Sequence, residues 1–242
     1  MSDLRRVRID QHGILLQTRR GNIHRLPVGA EELGSLRLTP VPFLEGLRGT
    51  QPLVDEFFTV DGRFEGRLEQ SPEVTDCLSK PLRIYYGIEW RCNLDCAFCG
   101  PSVPRVRGPG SVLPDRRRET FLLKQIAEAG TFQVQLTGGE IFIRGHGLLD
   151  TLEEVRGLGL AVMLGTNGVW RNIPDRREFA ARLAGFKNLV EIKVSIDGTE
   201  AFHDSVRGRG TYQEARRTLV ALADCGLPVR INTTIFKESC TF

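Results

Sequence analysis

Three of the six cysteines in this 242-residue chain lie in one short segment, at Cys92, Cys96 and Cys99 in the sequence RCNLDCAFCG. A structural zinc site needs four ligands, and the nearest downstream candidate is His146. A disulfide would leave one cysteine over and would need an oxidising compartment. Soft thiolates also hold iron–sulfur clusters, and a cubane cluster with three thiolate ligands keeps one iron open to a small molecule. The spacing therefore favours a cluster, with zinc or a structural role as the alternatives.

The elements that position these cysteines are predicted from a regular alternation that starts at Leu82. Five apolar runs have the composition of buried strands, and the four stretches that separate them have helical periodicity. The predicted strands are 82–90, 132–137, 160–166, 189–197 and 227–235. The predicted helices are 118–130, 147–159, 175–186 and 211–226. Such alternation is typical of an α/β fold in which right-handed crossovers join parallel strands.

Polar motifs stand directly after four of these strands. The cysteines follow the first strand, TGGE at 137–140 follows the second, TNG at 166–168 the third and SIDG at 195–198 the fourth. Because the carboxyl ends of parallel strands meet at one edge, where α/β barrels carry their active sites, these motifs are expected to lie together. The sequence predicts one functional edge.

The first 80 residues have a different pattern of apolar runs and turn residues. Short alternating runs flank turn signals at Gln11-His12-Gly13 and Gly21-Asn22, and FFTVDGRFEG reads as strand, turn and strand. A stretch rich in proline and glycine, 27–52, has room for one short helix, and 71–81 reads as a linker. We predict two domains: a small α+β module at 1–80 and the α/β domain at 81–242.

The bulk composition excludes several classes of protein. The chain has 33 basic and 30 acidic residues, and the resulting net charge of +3 is too small to indicate a nucleic-acid partner. No apolar run is long enough to span a bilayer, and the first ten residues lack the apolar core of a secretory signal. Cys77, Cys225 and Cys240 are isolated, and the four histidines show no metal-binding spacing. We expect a cytoplasmic protein with no membrane partner.

The segment C-x3-C-x2-C, with the aromatic Phe98 just before its last cysteine, resembles the cluster-binding motif of radical S-adenosylmethionine (radical SAM) enzymes. The resemblance implies that Cys92, Cys96 and Cys99 bind a [4Fe–4S] cluster and that S-adenosylmethionine chelates the fourth iron. In that family, one electron from the cluster cleaves the cofactor to methionine and a 5′-deoxyadenosyl radical, which takes a hydrogen atom from the substrate. The resemblance also implies that the fold is a partial (β/α)6 barrel similar to a TIM barrel.

Two further motifs resemble this family. Gly138-Gly139-Glu140 is similar to its GGE motif, which meets the methionine amino group, although Ile141 replaces the usual proline. The segment 194–219 resembles the branch that carries C-terminal SPASM or twitch extensions. The resemblance covers 82–236. It implies a cofactor role for nine residues: Phe98, Thr137, Gly138, Gly139, Glu140, Ser195, Asp197, Arg207 and Arg216.

These implied roles differ in kind. Thr137 adds a hydroxyl, Ser195 matches the family's cofactor-contacting serine, and Asp197 shapes its turn or reaches the ribose. A basic side chain further on pairs with the methionine carboxylate, for which Arg216 is the first choice and Arg207 the second. The family's core has six strands and five are predicted here, so we expect either a truncated chain or a minimal enzyme.

The preferred substrate is a ribosomally made precursor peptide. Many peptide-modifying members of this branch carry an N-terminal module similar in size to residues 1–80. That module binds the leader of the precursor peptide, which often adds a strand to the edge of a sheet. The alternatives are a small-molecule substrate, as in haem or quinone biosynthesis, and a non-catalytic metal- or cluster-binding scaffold. An electron donor such as a flavodoxin or ferredoxin is the other expected partner.

Overall fold

A computed structural model describes residues 4–10, 13–26, 28–29, 32, 36–70, 80–100 and 115–237. The predicted linker lies almost entirely outside these residues, as do Gln11, His12, Cys77 and Cys240. Two sheets, each with its own apolar core, make up the described part of the chain.

The first sheet is built from the N-terminal part of the chain. Its elements, in chain order, are β1 (Arg6–Asp10), β2 (Gly13–Gln17), β3 (Ile23–Leu26), α1 (Pro40–Gly46), α2 (Pro52–Asp55) and β4 (Arg67–Gln70). The strand order is β3-β2-β1-β4, with antiparallel pairing throughout except for the parallel pair of β1 and β4. Apolar side chains of β1 and β2 pack against the two helices.

The second sheet carries the strand–helix alternation. Its strands are β5 (Arg83–Glu89), β6 (Gln133–Gly138), β7 (Ala161–Thr166), β8 (Leu189–Ser195) and β9 (Val229–Asn232). The helices are α3 (Arg116–Glu128), α4 (His146–Gly157), α5 (Arg176–Ala184), α6 (Glu200–Arg207) and α7 (Thr211–Asp224), and a 3-10 turn covers Ile141–Arg144. All strand pairs are parallel, in the order β5-β6-β7-β8-β9. The described strands do not close into a barrel.

The two faces of this sheet differ in polarity because side chains alternate along a strand. On one face, residues such as Val134, Leu164 and Ile192 join the helices in the larger core. The other face, which we call the lumen face, carries polar residues, and Lys193 donates to the Gln135 side chain across it at 3.1 Å. The fold thus offers a polar concave surface beneath the carboxyl ends of the strands.

The two sheets contact each other at the amino end of β6. The Arg6 and Arg8 guanidinium groups lie over the Phe132 ring, 5.0 and 4.4 Å from its centre, and donate to the carbonyls of Thr131 and Gly130. These cations are buried, but their ion pairs with Glu69 compensate for the lost hydration, together with the aromatic and carbonyl contacts. The division into 1–80 and 81–242 stays a prediction.

The α/β fold class and the five parallel strands are confirmed, although element ends shift by up to three residues. The hairpin of β1 and β2 is also present. In FFTVDGRFEG, however, the predicted pair of strands is reduced to one bridge between Phe58 and Phe64. Helix α6 was not predicted, because its sequence is short and rich in polar residues. None of the helices that the structure describes has the length and apolar character of a membrane span.

Candidate active site

The cysteine loop starts directly after β5. Cys92 is buried, whereas Cys96 and Cys99 are half-buried. The Leu94 backbone N–H donates to the Cys92 sulfur at 3.5 Å, and the Asn167 amide approaches it at 3.7 Å. Hydrogen bonds of this kind stabilise a thiolate, which is the form that binds metal. The loop therefore presents sulfur atoms in a setting suited to a cluster.

The glycine pair at the end of β6 packs against the entry of the cysteine loop. The Gly139 backbone N–H donates to the Glu89 carbonyl at 2.7 Å, and the next N–H, of Glu140, donates to the Arg91 carbonyl at 2.8 Å. A Cβ at Gly138 or Gly139 would overlap the backbone of Glu89 or Arg91. The two glycines are thus required for the approach of one backbone to another, next to the first cysteine.

The Glu140 carboxylate points into the protein. It is 1% exposed and accepts from the Phe142 N–H at 2.9 Å and the Asn167 N–H at 2.6 Å. The Thr166 hydroxyl donates to both carboxylate oxygens, at 3.0 and 3.1 Å. Burial raises the pKa of Glu140 to about 7, against the opposing effect of these hydrogen bonds. Glu140 thus ties the TNG turn to the GGE turn, and its predicted contact with the methionine amino group stays a prediction.

Asn167 continues this connection to the cysteines. Its side-chain oxygen accepts from the Val169 N–H at 2.8 Å, and its amide donates to the Asn93 side chain at 2.8 Å. Asn93 in turn donates to the Val169 carbonyl at 2.6 Å. The TNG motif was predicted only as a turn at this edge. Its link to Asn93 was missed, because residues 74 positions apart meet only in the folded chain.

Arg207, the last residue of α6, links the SIDG turn to the cysteine loop. Arg207 is 7% exposed and donates to the Asp197 carboxylate at 2.6 Å. The Arg207 guanidinium also lies over the Phe98 ring, 5.1 Å from its centre. The Ala97 N–H donates to the Val206 carbonyl at 2.8 Å, which fixes the same loop to α6.

His203 supports this turn, although the sequence showed no role for it. It is fully buried, and its Nδ1 accepts from the Asp197 N–H at 3.0 Å. Burial lowers the pKa of His203, and the positive charge of Arg207 acts in the same direction. The imidazole is therefore neutral near pH 7, and the hydrogen bond places its proton on Nε2.

A buried charge network below the cysteine loop was also missed. Glu89 accepts from the Arg91 side chain at 2.6 and 2.5 Å, and Arg144 pairs with both Glu89 and Glu119. Burial alone would raise the pKa of Glu89, but its hydrogen bonds and charge interactions with Arg91 and Arg144 hold the pKa below its usual value. The network fixes the residue that precedes Cys92.

The remaining predicted residues are more accessible. Thr137 and Ser195 are half-buried at the ends of β6 and β8, and their hydroxyls have no hydrogen-bond partner among the described residues. Arg216 is exposed on α7, and Phe98 is 40% exposed. The structure thus brings the three cysteines, the two glycines and both hydroxyls to one edge, as predicted, while the cofactor roles of these residues stay predictions.

The donor set fits an iron–sulfur cluster better than a single ion. In the described part of the chain, no three His, Cys, Asp or Glu side chains are grouped to hold one metal ion. A cubane binds each cysteine through a different iron, so its ligands need not converge on a point. The fold and this edge define an α/β protein built around a three-thiol loop.

Comparison with known proteins agrees with this class. The model of the Radical SAM superfamily matches residues 91–239, and the chain belongs to that superfamily. It is 29% identical to the antilisterial bacteriocin subtilosin biosynthesis protein AlbA of Bacillus subtilis, over 66% of this chain and 34% of AlbA. It is also 29% identical to the mycofactocin maturase MftC of Mycobacterium tuberculosis, over 67% of this chain and 40% of MftC. The chain therefore spans less than half of these relatives.

A solved structure extends the likeness to the N-terminal sheet. The chain of Streptococcus suis SuiB, bound to its precursor peptide SuiA, superimposes with a TM-score of 0.63 at 17% identity. The match covers 99% of this chain and 58% of that chain. At this level of identity the comparison shows a shared fold.

We expect Gly139→Ala to destabilise the site, because the new Cβ would overlap the Arg91 carbonyl. The free energy of unfolding in urea should fall by about 1–3 kcal/mol, as for other overpacked positions. Iron and sulfide bound after anaerobic reconstitution should fall as well. The control is Gly157→Ala, where a Cβ meets nothing within 4 Å. Equal effects of the two variants would contradict the proposed packing role.

Glu140 should make stability depend on pH. Its pKa is higher in the folded chain than in the unfolded chain, so folding takes up a proton between about pH 4.5 and 7. Relative to Glu140→Gln, which does not titrate, the parent should therefore lose stability as pH rises through this window. The loss is on the order of 3 kcal/mol in total. Urea unfolding of both iron-free proteins over a pH series tests this, and parallel curves would refute it.

The buried pair of Asp197 and Arg207 should show strong coupling. Asp197→Asn leaves a buried guanidinium without its counter-charge and should cost about 3–5 kcal/mol of unfolding free energy. Adding Arg207→Met should cost less than the sum of the single changes. Arg217→Met, which breaks an exposed pair with Glu214, should change stability by at most about 1 kcal/mol. Additive losses for Asp197 and Arg207 would argue against the pair.

Proposed function

We propose that this protein is a radical SAM enzyme that modifies a ribosomally made precursor peptide. When bound, a reduced [4Fe–4S] cluster supplies the electron that cleaves S-adenosylmethionine and so generates the radical that takes a hydrogen atom from the substrate. The observation that carries this proposal is the three-thiol loop at one edge of the parallel sheet, an edge that also holds two hydroxyls with no hydrogen-bond partner among the described residues.

In this proposal Cys92, Cys96 and Cys99 hold the cluster. The bonds of the Leu94 and Asn167 donors to the Cys92 sulfur stabilise the negative charge of the ligand. A fourth protein ligand would not be needed, because S-adenosylmethionine would occupy the open coordination position of such a cluster. Cys225 is not a candidate, since it follows α7 at the opposite end of the sheet and its thiol contacts the Arg177 carbonyl.

S-adenosylmethionine would bind at the same edge, where side chains are available to hold it. Thr137 and Ser195 offer their hydroxyls, and Phe98, which is 40% exposed, offers part of its aromatic ring. The exposed Arg216 is our choice for the methionine carboxylate, because Arg207 is already paired with Asp197. We propose that Glu140, Asp197 and Arg207 do not bind the cofactor but position the cysteine loop and the turns that follow the other strands.

A peptide is the substrate that the relatives favour. The name of AlbA refers to the biosynthesis of a bacteriocin, and MftC is named a maturase. SuiB was solved with its precursor peptide bound. Because the likeness to SuiB includes the N-terminal sheet, we assign residues 1–80 to recognition of the precursor. The electron comes from a separate donor such as a flavodoxin or ferredoxin. Reduced thiols suit the cytoplasm, where we place the reaction.

We expect Cys96→Ala to lose the cluster and the cleavage of S-adenosylmethionine together, because two thiolates do not hold a cubane. Iron, labile sulfide and 5′-deoxyadenosine are measured anaerobically with a strong chemical reductant. The matched control is Cys225→Ala, which removes a thiol at the far end of the sheet and should keep all three.

Two results would overturn the proposal. If Cys96→Ala kept the cluster and the activity, the ligands would lie elsewhere. If the parent chain bound zinc without labile sulfide and formed no 5′-deoxyadenosine, the non-catalytic scaffold would be the better interpretation.

A further inference from the structure

A second concave site lies at the amino end of the lumen face, away from the cysteine loop. This cavity has a volume of about 880 Å³, near the upper end of the range for ligand sites. One wall comes from the turn before β3 and from β3 itself, and the other from β5, β6, β7, β8 and the start of β9. Both sheets therefore contribute to one cavity, which we call the basal cavity.

The basal cavity is strongly basic. Six cations line it, and Glu191 is the one carboxylate among the described residues of its lining. The six cations are Arg19, Arg20, Arg83, Lys187, Lys193 and Arg230. Such an excess of one charge in a concave site attracts ligands of the opposite charge and raises their local concentration.

Not all of this charge is neutralised within the protein. Glu191 pairs with Arg230 at 2.7 Å and with Lys193 at 3.4 Å. Arg20, Arg83 and Lys187 pair with no carboxylate among the described residues. Arg83 instead donates two hydrogen bonds to the neutral Gln133 side chain, at 2.9 and 2.8 Å. Three cations in the same cavity are thus available to an acidic ligand.

The wall formed by β3 adds backbone groups to these charges. Within the described sheet, β3 pairs with β2 on one side only, so its other edge is open. Ile23 and His24 of this edge strand line the basal cavity. An open strand edge offers donors and acceptors in the pattern that an extended peptide matches.

We propose that the basal cavity binds an acidic segment of the peptide substrate, which is held by carboxylate contacts to its arginines and lysines. The inference rests on the proposed function for the identity of the partner, and it adds the chemistry of the segment that is recognised. Arginine suits this task because its planar group binds a carboxylate through two hydrogen bonds. Nucleic acid is the competing polyanion, but its backbone does not extend a β-sheet.

Binding is measured by fluorescence anisotropy with the whole 242-residue chain and a dye-labelled hexaglutamate peptide. A hexaglutamine peptide of the same length and dye reports contacts that do not depend on charge, and a labelled oligothymidylate of equal charge reports binding of any polyanion. The acidic peptide should bind more tightly than both, and its affinity should fall steeply with added salt.

Two charge-reversed variants locate the site. Arg20→Glu with Lys187→Glu should weaken hexaglutamate binding by about tenfold or more, because two cations that are not neutralised by a described carboxylate become anions. The matched control is Lys124→Glu with Arg177→Glu, which makes the same change of formal charge on the outer helices α3 and α5. It should change the affinity by less than about twofold, because exposed charges far from the cavity are screened.

Further measurements keep the test decisive. The basal-cavity variant should gain affinity for a hexalysine peptide, which a merely unfolded variant would not. Equal weakening in both variants, or equal binding of hexaglutamine or oligothymidylate, would overturn the proposal. The Cys96→Ala variant should bind hexaglutamate like the parent, so failure of the radical chemistry and failure of this inference give different results.

Discussion

The site depends on one buried carboxylate, that of Glu140. Shielded from solvent, this group accepts hydrogen bonds from the Thr166 hydroxyl and two backbone N–H groups, and it thereby holds the ends of β6 and β7 together. The backbone of the same residue also donates to Arg91, one position before Cys92. A single residue thus joins three strand ends. Because interior hydrogen bonds are costly to leave unmade, a shift of any one of these loops is opposed by the others.

The same arrangement explains why a charged group is tolerated in the core. Burial raises the pKa of Glu140, so part of the population is protonated near neutral pH, and the three donors stabilise the ionised remainder. The Asp197 and Arg207 pair solves a similar problem on the other side of the cysteine loop by direct charge compensation. Burying these charged groups costs stability, but their hydrogen bonds fix the geometry of the loops. A site that holds a cluster and a cofactor requires such fixed geometry.

Local signals in the sequence predicted most of the α/β part. Apolar runs marked the five strands, and the turn motifs that follow them marked the functional edge. The direction of Glu140 was not predictable, since its partners Thr166 and Asn167 lie 26 and 27 residues away. Helix α6 was missed because it is only eight residues long and its start depends on a hydroxyl cap from Thr199. The parallel pairing of β1 with β4 likewise joins distant segments, for which no local pattern exists.

Strand β8 connects the two ends of the lumen face. Glu191, Lys193 and Ser195 alternate along it and share that face, with the first two in the basal cavity and the last at the cysteine edge. At about 3.3 Å per residue, the four steps from Glu191 to Ser195 span about 13 Å. An extended peptide needs about four residues to cover the same length. A substrate anchored by its acidic segment would therefore place a residue several positions away from that segment next to the radical. Recognition and chemistry would then involve different parts of the same peptide.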